Sequence, residues 1–277
     1  MIVGVVGAGT MGAGIAEVFA RAADCRVKLA DVTDELAAKG RDRQVAGLDR
    51  LVDKGKLTSA ERDAIVARLV TAPVAELGDC DLIIEAVVEA MPVKRPLFEQ
   101  LDGLAKPGAI LATNTSSLSV TELARGLEHA VVGMHFFNPA PVMKLVEVVA
   151  GATTEDATVT RIMEIATAVG KTPVRVAEAP GFVVNRLLVP MINEAVEVLA
   201  NGTASAADID QAMQLGANHP IGPLALGDMI GLDVVLAVME VLQAETGDPK
   251  YRPHPRLRQM RRAGHLGRKT GRGFFTY

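Results

Sequence analysis

Three glycines at a fixed spacing stand near the start of the chain, directly after an apolar stretch. Gly7, Gly9 and Gly12 form the pattern Gly-x-Gly-x-x-Gly, with Thr10 and Met11 between the last two. In such a turn the first glycine permits the tight bend, the second lets a diphosphate approach the backbone, and the third lets the helix pack on the strand. The N–H groups of the helix N-terminus then face the phosphates. The pattern predicts a dinucleotide site, although a glycine-rich turn without a ligand would read the same way.

An acidic residue at the expected distance supports the dinucleotide interpretation. Asp31 ends the next apolar stretch, residues 26–30, and lies 19 positions after Gly12, where a separation of about 20 is usual. A carboxylate at this place accepts hydrogen bonds from the hydroxyls of an adenosine ribose and repels a 2′-phosphate. The sequence therefore favours NAD over NADP, while a neighbouring Arg or Lys would soften that preference and leave NADP open.

A histidine and a glutamate twelve positions apart have the types that acid–base chemistry needs. His135 follows an apolar stretch, and Glu147 is the single acid within the apolar segment 144–149. A buried carboxylate is costly unless it is paired, and histidine is a natural partner. A carboxylate at one imidazole nitrogen raises the basicity of the other. We therefore predict a general base for an alcohol proton, with a purely structural histidine as the alternative.

Strands and helices must bring these residues together. Segments typical of strands alternate with segments of helix length: the strands are expected at 2–6, 26–30, 82–88, 109–113, 131–134, 144–149 and 174–176, and the helices at 33–54, 59–69 and 92–104. This alternation predicts an α/β fold, a doubly wound Rossmann-type parallel sheet. Ligands of such sheets lie beyond the carboxyl ends of the strands, which is where the glycine turn, Asp31 and His135 fall.

Helical patterns replace strand patterns after residue 180. We expect a NAD-binding domain over residues 1–180 and an all-helical substrate and dimerisation domain over 181–277. Residues 182–199 carry apolar side chains on nearly every face, as a largely buried helix would, and Pro190 should kink it. Two further helices are expected at 206–215 and 232–244. An apolar helix of this kind indicates subunit contacts, or equally a core helix enclosed within one chain.

Composition excludes several classes of protein. The 277 residues are 49% hydrophobic and 22% charged, with a net charge of −4, which argues against disorder and against nucleic-acid binding. The sequence shows neither a membrane-length apolar run nor the layout of a signal peptide, so we expect a soluble cytoplasmic protein. Cys25 and Cys80 fit a reducing compartment, and we assign neither a disulfide nor a metal site. The basic run 252–272 is expected to be a solvated segment.

Further motifs make a family resemblance visible. Besides the glycine turn and the segment from His135 to Glu147, the chain contains Asn-Thr-Ser-Ser-Leu at 114–118, Pro-Gly-Phe-Val-Val-Asn-Arg at 180–186 and Lys-Thr-Gly-Arg-Gly-Phe-Phe at 269–275. In this order, and over nearly the whole length, the chain resembles the 3-hydroxyacyl-CoA dehydrogenase family, most closely the short bacterial-type 3-hydroxybutyryl-CoA dehydrogenases. The resemblance implies reversible hydride transfer between an L-3-hydroxyacyl-CoA and NAD, with His135 as base and Glu147 as its partner.

The same resemblance implies roles for two neutral polar residues. Ser116 and Asn185 would hydrogen-bond the reacting oxygen and position the substrate, and neutral donors suit an alkoxide-like oxygen. Their structural alternatives differ. Ser116 and Ser117 could cap the following helix, whereas Asn185, expected inside a helix, has no evident backbone task there.

Contacts to the cofactor and to the CoA arm are implied in the same way. Glu89 and Lys94 would lie near the nicotinamide and its ribose, with Asn138 also close to the cofactor. Without the resemblance both charged residues would read as solvated side chains at a helix start. Lys54 is the nearest match to the residue that contacts CoA, although a charged helix end explains it equally well.

Two other functions remain open. One is a different β-hydroxyacid dehydrogenase acting on free acids; such enzymes typically use a lysine base, whereas this chain has the His135 and Glu147 pair. The other is a catalytically idle, NAD-binding structural relative. The expected partners are an acyl-CoA substrate and a second copy of the chain in a homodimer, with neither nucleic acid nor membrane.

Overall fold

The chain forms two compact units. The computed structural model describes all 277 residues and divides into Met1–Glu178 and Ala179–Tyr277. The predicted boundary between residues 180 and 181 lies two residues beyond this division and stays a prediction.

An eight-stranded sheet forms the centre of the N-terminal unit. Its strands are β1 (Ile2–Val6), β2 (Arg26–Ala30), β3 (Leu69–Thr71), β4 (Leu82–Glu85), β5 (Ile110–Thr113), β6 (Ala130–Phe136), β7 (Leu145–Ala150) and β8 (Thr172–Ala177). They lie in the order β3-β2-β1-β4-β5-β6-β7-β8. Because the strand order reverses between β1 and β4, a crevice opens above their carboxyl ends, as in doubly wound dinucleotide-binding sheets. The predicted fold class of this unit is confirmed.

Six helices flank or connect the strands. They are α1 (Thr10–Arg21), α2 (Asp34–Asp53), α3 (Ser59–Arg68), α4 (Met91–Leu104), α5 (Val120–Ala124) and α6 (Asp156–Ala168). The starts of α2 and α3 follow from local chemistry, since Thr33 accepts the N–H of Leu36 and Thr58 forms a reciprocal capping box with Glu61.

The direction of the last two strands, β7 and β8, differs from the prediction. β7 pairs antiparallel with β6, whereas β1 to β6 and the β7–β8 pair are parallel. The physical reason is the short connection from Phe137 to Lys144, which contains no helix, because a parallel return needs a crossover of a dozen or more residues.

Two strand boundaries also differ. The strand predicted at 82–88 ends at Glu85, because after the N–H of Ala86 has donated to the carbonyl of Val6, the N–H of Val87 turns back to the Glu85 carboxylate at 2.7 Å. β3 was not predicted, and Leu69, expected at a helix end, begins this strand beside β2. Three residues are too few to show a strand periodicity.

The C-terminal unit is all helical, as predicted. It contains α7 (Val184–Ala200), α8 (Ala206–Ala217), α9 (Pro223–Ile230), α10 (Leu232–Thr246) and α11 (Pro255–Arg262). The helices predicted at 206–215 and 232–244 are confirmed with slightly longer bounds, and α9 and α11 were not predicted. A core of buried aliphatic side chains joins α7, α9 and α10, including Ile192, Leu224 and Leu236.

The expectation that α7 is largely buried is wrong for the single chain. Its inner face contributes Val189, Ile192 and Val196 to the core, but Leu187 is 71% exposed. Pro190 lies inside the helix without ending it. Sequence alone could not distinguish these faces, because the apolar residues surround the helix axis.

No helix combines the length and the apolar character that a membrane crossing requires.

Candidate active site

A histidine and a glutamate face each other across β6 and β7. The antiparallel register sets His135 directly opposite Glu147, and His135 Nδ1 lies 2.8 Å from Glu147 Oε2. Both side chains are buried, with exposures of 6% for His135 and 1% for Glu147. The ring of Phe137 packs against the imidazole with centroids 4.5 Å apart.

This contact determines which imidazole nitrogen is basic. A carboxylate only accepts hydrogen bonds, so the proton of the contact is carried by Nδ1 of His135. The neutral ring then has its basic lone pair on Nε2. Because water is largely excluded around Glu147, its negative charge stabilises a protonated imidazole more strongly than it would in water. The arrangement can take a proton and give it back.

Asn114 joins the ends of β5 and β6 beside this pair. Its Oδ1 accepts the N–H of Phe136 at 2.8 Å, and its own N–H donates to the carbonyl of Glu85 at the end of β4. The loop after β5 is therefore tied to the residue that follows His135. The sequence placed Asn114 at the end of a strand without indicating this bond.

One carboxylate organises the loop after β5. Oε1 of Glu89 accepts the hydroxyl of Thr115 at 2.7 Å and the backbone N–H of Ser116 at 2.7 Å, and it lies 3.1 Å from the Ser116 hydroxyl. The N–H of Ser117 donates to the same oxygen at 3.1 Å. These contacts bring two predicted site residues, Glu89 and Ser116, together.

The structural alternative for the two serines does not hold. Helix α5 is capped by Ser119, whose side chain accepts the N–H of Glu122 at 3.0 Å. The turn before it is closed by Thr115, whose hydroxyl accepts the N–H of Leu118 at 2.8 Å. Neither Ser116 nor Ser117 caps a helix, so their hydroxyls serve the contact with Glu89.

Lys94 is buried between two carboxylates. Its Nζ lies 2.6 Å from Glu85 and 3.2 Å from Glu89, and its exposed fraction is 1%. Burial works to raise the pKa of Glu89, but the charge of Lys94 and the hydrogen bonds from Thr115 and Ser116 outweigh it, so that pKa lies below its usual value. Both predicted residues, Glu89 and Lys94, are thus in one cluster, in which Lys94 is buried and Glu89 stays partly exposed. Sequence reasoning missed Glu85, which reads as the end of an apolar strand.

The glycine turn has distinct constraints at its three positions. Gly7 has a φ of +101°, a conformation that strains any other residue. A Cβ on Gly12 would lie 1.7 Å from the carbonyl oxygen of Gly7, whereas a Cβ on Gly9 would meet no atom within 4 Å. Helix α1 begins after Gly9 without a side-chain cap. The space above Gly9 and the uncapped N–H groups are therefore open to an anion.

Asp31 closes the same turn from the end of β2. One carboxylate oxygen accepts the N–H of Ala8 at 2.6 Å and the other accepts the N–H of Val32 at 2.7 Å. A cavity of about 930 Å³ opens here, lined in part by Gly7, Gly9, Thr10, Met11 and Asp31. Gly12 lies beneath it in the packed start of α1. The cavity continues past Ala86, Val87 and Val88, the residues that follow β4.

Three predicted residues lie outside these contacts. Asn138 is exposed in the loop after β6, and its bond to Pro139 is cis. Lys54 is exposed at the C-terminal end of α2. Asn185 is the second residue of α7 in the C-terminal unit, so it lies in a helix as expected, but in the first turn rather than the interior; the helix begins two residues later than predicted, after Phe182 adopts a φ of +51°.

No group of three or more His, Cys, Asp or Glu side chains is arranged to hold a metal ion.

Two family models cover the chain. Residues 2–179 match the model described as 3-hydroxyacyl-CoA dehydrogenase, NAD binding domain. Residues 181–277 match the C-terminal domain of 3-hydroxyacyl-CoA dehydrogenase.

Curated relatives and solved structures agree with this match. The chain is 51% identical over 285 positions to a 3-hydroxybutyryl-CoA dehydrogenase of Clostridioides difficile, covering 100% of this chain and 99% of the relative. It is 44% identical to one of Mycobacterium tuberculosis, covering 99% and 98%. A crystal structure of (S)-3-hydroxybutyryl-CoA dehydrogenase from Ralstonia eutropha superposes with a TM-score of 0.95 at 49% identity, covering 100% of this chain and 98% of the other. Because both units match over their full length and in the same order, the chain belongs to the 3-hydroxyacyl-CoA dehydrogenase family.

Proposed function

We propose that the protein oxidises the 3-hydroxyl group of an L-3-hydroxyacyl-CoA, 3-hydroxybutyryl-CoA in particular, to the 3-keto thioester, and catalyses the reverse reduction. The observation that carries this proposal is the contact of 2.8 Å between His135 Nδ1 and Glu147 Oε2 at the carboxyl end of β6. It supplies a general base at the edge of the sheet where dinucleotides bind. Family membership makes the protein an NAD-dependent oxidoreductase acting on a CH–OH group.

His135 and Glu147 act as one unit in this reaction. Nε2 of His135 takes the proton of the substrate hydroxyl, and the carboxylate of Glu147 stabilises the imidazolium that forms. NAD, when bound, would supply the hydride acceptor for C3 of the substrate. In the reverse direction the imidazolium returns the proton to the oxygen, and the neutral imidazole takes up a proton from solvent before the next turnover.

Ser116 and Asn185 hold the reacting oxygen. Both offer a neutral hydrogen-bond donor, which stabilises developing negative charge without adding a cation. The hydroxyl of Ser116 lies 3.1 Å from Glu89, so it is held by its neighbour until a substrate oxygen competes for the proton. Asn185 stands in the first turn of α7.

The residues around the crevice fit NAD. The open space at Gly9 and the uncapped start of α1 suit the pyrophosphate, with Thr10 and Met11 at the same helix end. Each oxygen of Asp31 accepts one backbone N–H and retains a lone pair for a ribose hydroxyl.

The second half of the cofactor falls to residues after the neighbouring strands. Glu89 and Lys94 follow β4 in the chain, and Asn138 follows β6. Because the adenosine half is held at β2, the nicotinamide half extends over β4 and β5. We assign all three residues to that half.

Lys54 is proposed to contact the CoA arm. Its exposed ammonium at the end of α2 suits a phosphate group, which a flexible lysine binds as a point charge.

We further propose that the protein is a cytoplasmic homodimer joined through residues 181–277. The support is the apolar surface of the C-terminal unit, where Leu187, Leu215 and Met229 are all more than half exposed. Exposed apolar patches of this kind commonly mark protein contacts.

The test is the oxidation of NADH and, separately, of NADPH by the purified protein with acetoacetyl-CoA, with free acetoacetate as the control. Rapid turnover with the thioester and NADH, and none with the free acid, is the expected result. Turnover of the free acid would indicate another β-hydroxyacid dehydrogenase. Tight NADH binding without any turnover would support the idle, structural relative.

A further inference from the structure

A fully buried ion pair lies beneath the loop that carries Glu89. Glu85, the last residue of β4, is 0% exposed, and its partner Lys94 is 1% exposed. Their contact is 2.6 Å. A buried ion pair is weak as a stability device, because desolvation offsets most of its attraction. A contribution to folding stability therefore does not explain why this ion pair lies beneath the loop.

Each oxygen of Glu85 is committed to a particular neighbour. Oε1 accepts the ammonium of Lys94 at 2.6 Å and the N–H of Val87 at 2.7 Å, while Oε2 accepts the hydroxyl of Thr113 at 2.7 Å. Val87 lines the cavity, whereas Thr113 ends β5. Glu85 thus holds the start of the loop after β4, the end of β5 and the first turn of α4 in one arrangement.

The cluster has an unequal charge count. Glu85 and Glu89 contribute two carboxylates, and Lys94 contributes one ammonium that contacts both. The next cation, Arg95, turns away to Glu99 and to backbone carbonyls near α5. The three charged groups, which we call the β4 cluster, therefore carry one net negative charge; Glu85 and Lys94 are buried and Glu89 is partly exposed.

The β4 cluster lies on the side of the crevice that the second half of a dinucleotide would occupy. This step rests on the proposed function. Asp31 at the end of β2 takes the adenosine half, and the strand order reverses between β1 and β4. The nicotinamide half then lies over β4 and β5, toward His135 at the end of β6.

We propose that Glu85 is a positioning residue whose charge makes the β4 cluster net negative and thereby favours binding of the oxidised cofactor over the reduced one. The nicotinamide ring of NAD⁺ carries a positive charge that is absent from NADH. A net negative cluster attracts the charged ring of NAD⁺ and has no net charge–charge interaction with the neutral ring of NADH. If Glu85 lost its charge, the positive charge of Lys94 and the negative charge of Glu89 would cancel.

The decisive variant is Glu85→Gln. Its amide oxygen can accept from Lys94 and Val87 and its amide nitrogen can donate to Thr113, so all three contacts survive while the charge is lost. We expect the ratio of the dissociation constants, NAD⁺ over NADH, to rise about tenfold, which corresponds to unit charges about 12 Å apart at an effective dielectric of about 20. Both constants are measured by titration of the purified protein, without substrate.

Two control variants separate charge from structure. Glu85→Asp keeps the charge with a shorter reach, and Thr113→Val removes one hydrogen bond without changing the charge. Either variant should weaken the binding of NAD⁺ and of NADH by a common factor. The ratio of the two dissociation constants should therefore stay unchanged within about twofold. A ratio that moves equally in Thr113→Val and Glu85→Gln would overturn the proposal.

The remaining outcomes are equally informative. If Glu85→Gln weakens NAD⁺ and NADH by the same factor, Glu85 is merely structural and the proposal is wrong. If that variant does not fold, Glu89→Gln removes a charge from a more exposed member of the β4 cluster, and an unchanged ratio there overturns the proposal. Failure of the unmodified protein to bind either nucleotide would overturn the proposed function itself.

Discussion

Replacing Glu147 by Gln tests the proposed base most directly. The change keeps the size of the side chain and an oxygen that can accept the Nδ1 proton of His135, but removes the charge. At the observed contact of 2.8 Å the centres of the imidazolium and carboxylate charges lie about 4 Å apart, and an effective dielectric of about 20 gives roughly 4 kcal/mol of attraction. Since about 1.4 kcal/mol corresponds to tenfold in rate, the full loss is about a thousandfold.

The imidazolium is only partly formed in the transition state, so the expected fall in kcat lies between about a hundredfold and a thousandfold. KM for 3-hydroxybutyryl-CoA should change by less than about threefold, because Glu147 acts through His135 rather than on the bound substrate. Initial rates of NADH formation in the oxidation direction, where the imidazolium forms, give both constants. Thermal unfolding followed by circular dichroism shows whether the variant is folded.

Asp210→Asn is the matched control. Asp210 is also a buried carboxylate, but it accepts the N–H groups of Leu224 at 2.8 Å and Ala225 at 2.9 Å at the start of α9. Its loss should lower stability by about 1–3 kcal/mol while kcat of the folded protein is retained. A folded Glu147→Gln variant whose kcat stays within tenfold of the parent would refute the reasoning, as would a loss of kcat that merely follows stability in both variants.

Other predictions concern the crevice and the buried groups. Gly9→Ala should melt at the parent temperature yet bind NADH about tenfold more weakly, because its Cβ meets no protein atom within 4 Å and enters the ligand space. Calorimetric melting and nucleotide titration measure the two effects, and an unchanged affinity for NADH would contradict the prediction. Gly12→Ala should instead unfold at a lower temperature, since its Cβ would lie 1.7 Å from the carbonyl oxygen of Gly7. Burial foremost, with the charge of the neighbouring Asp79, raises the pKa of Cys80 to about 12, so its thiol should react with a disulfide reagent at mildly alkaline pH only after unfolding; fast reaction of the native protein would be the contrary result. The pKa of Glu89 is lowered in the folded protein, so the parent should have a higher free energy of unfolding than Glu89→Gln above about pH 4.5. This difference should vanish as the pH falls through the folded-state pKa of Glu89. Urea unfolding of both proteins at several pH values measures it.

Most strands of the N-terminal unit and its helices α1 to α4 were predictable because their signals are local, whereas β3, α5 and α6 were not predicted. The apolar run before Gly7, the spacing to Gly12 and the acid at Asp31 are properties of short segments. The backbone conformation of Gly7, with φ at +101°, is required by the same turn that the glycine pattern predicts. The exposure of Leu187 was not predictable in this way, because it depends on which face of α7 the other helices cover.

The sequence by itself determined which residues are able to do chemistry, through their types and their places at strand ends. Tertiary structure decided how they combine. Only the antiparallel register of β6 and β7 sets His135 opposite Glu147, and only the adjacency of β4 and β5 joins Glu85 to Thr113. The physical reason is range: helix caps and glycine turns depend on neighbours along the chain, whereas a buried charge acquires its partners from strands that are distant in sequence and meet when the sheet forms.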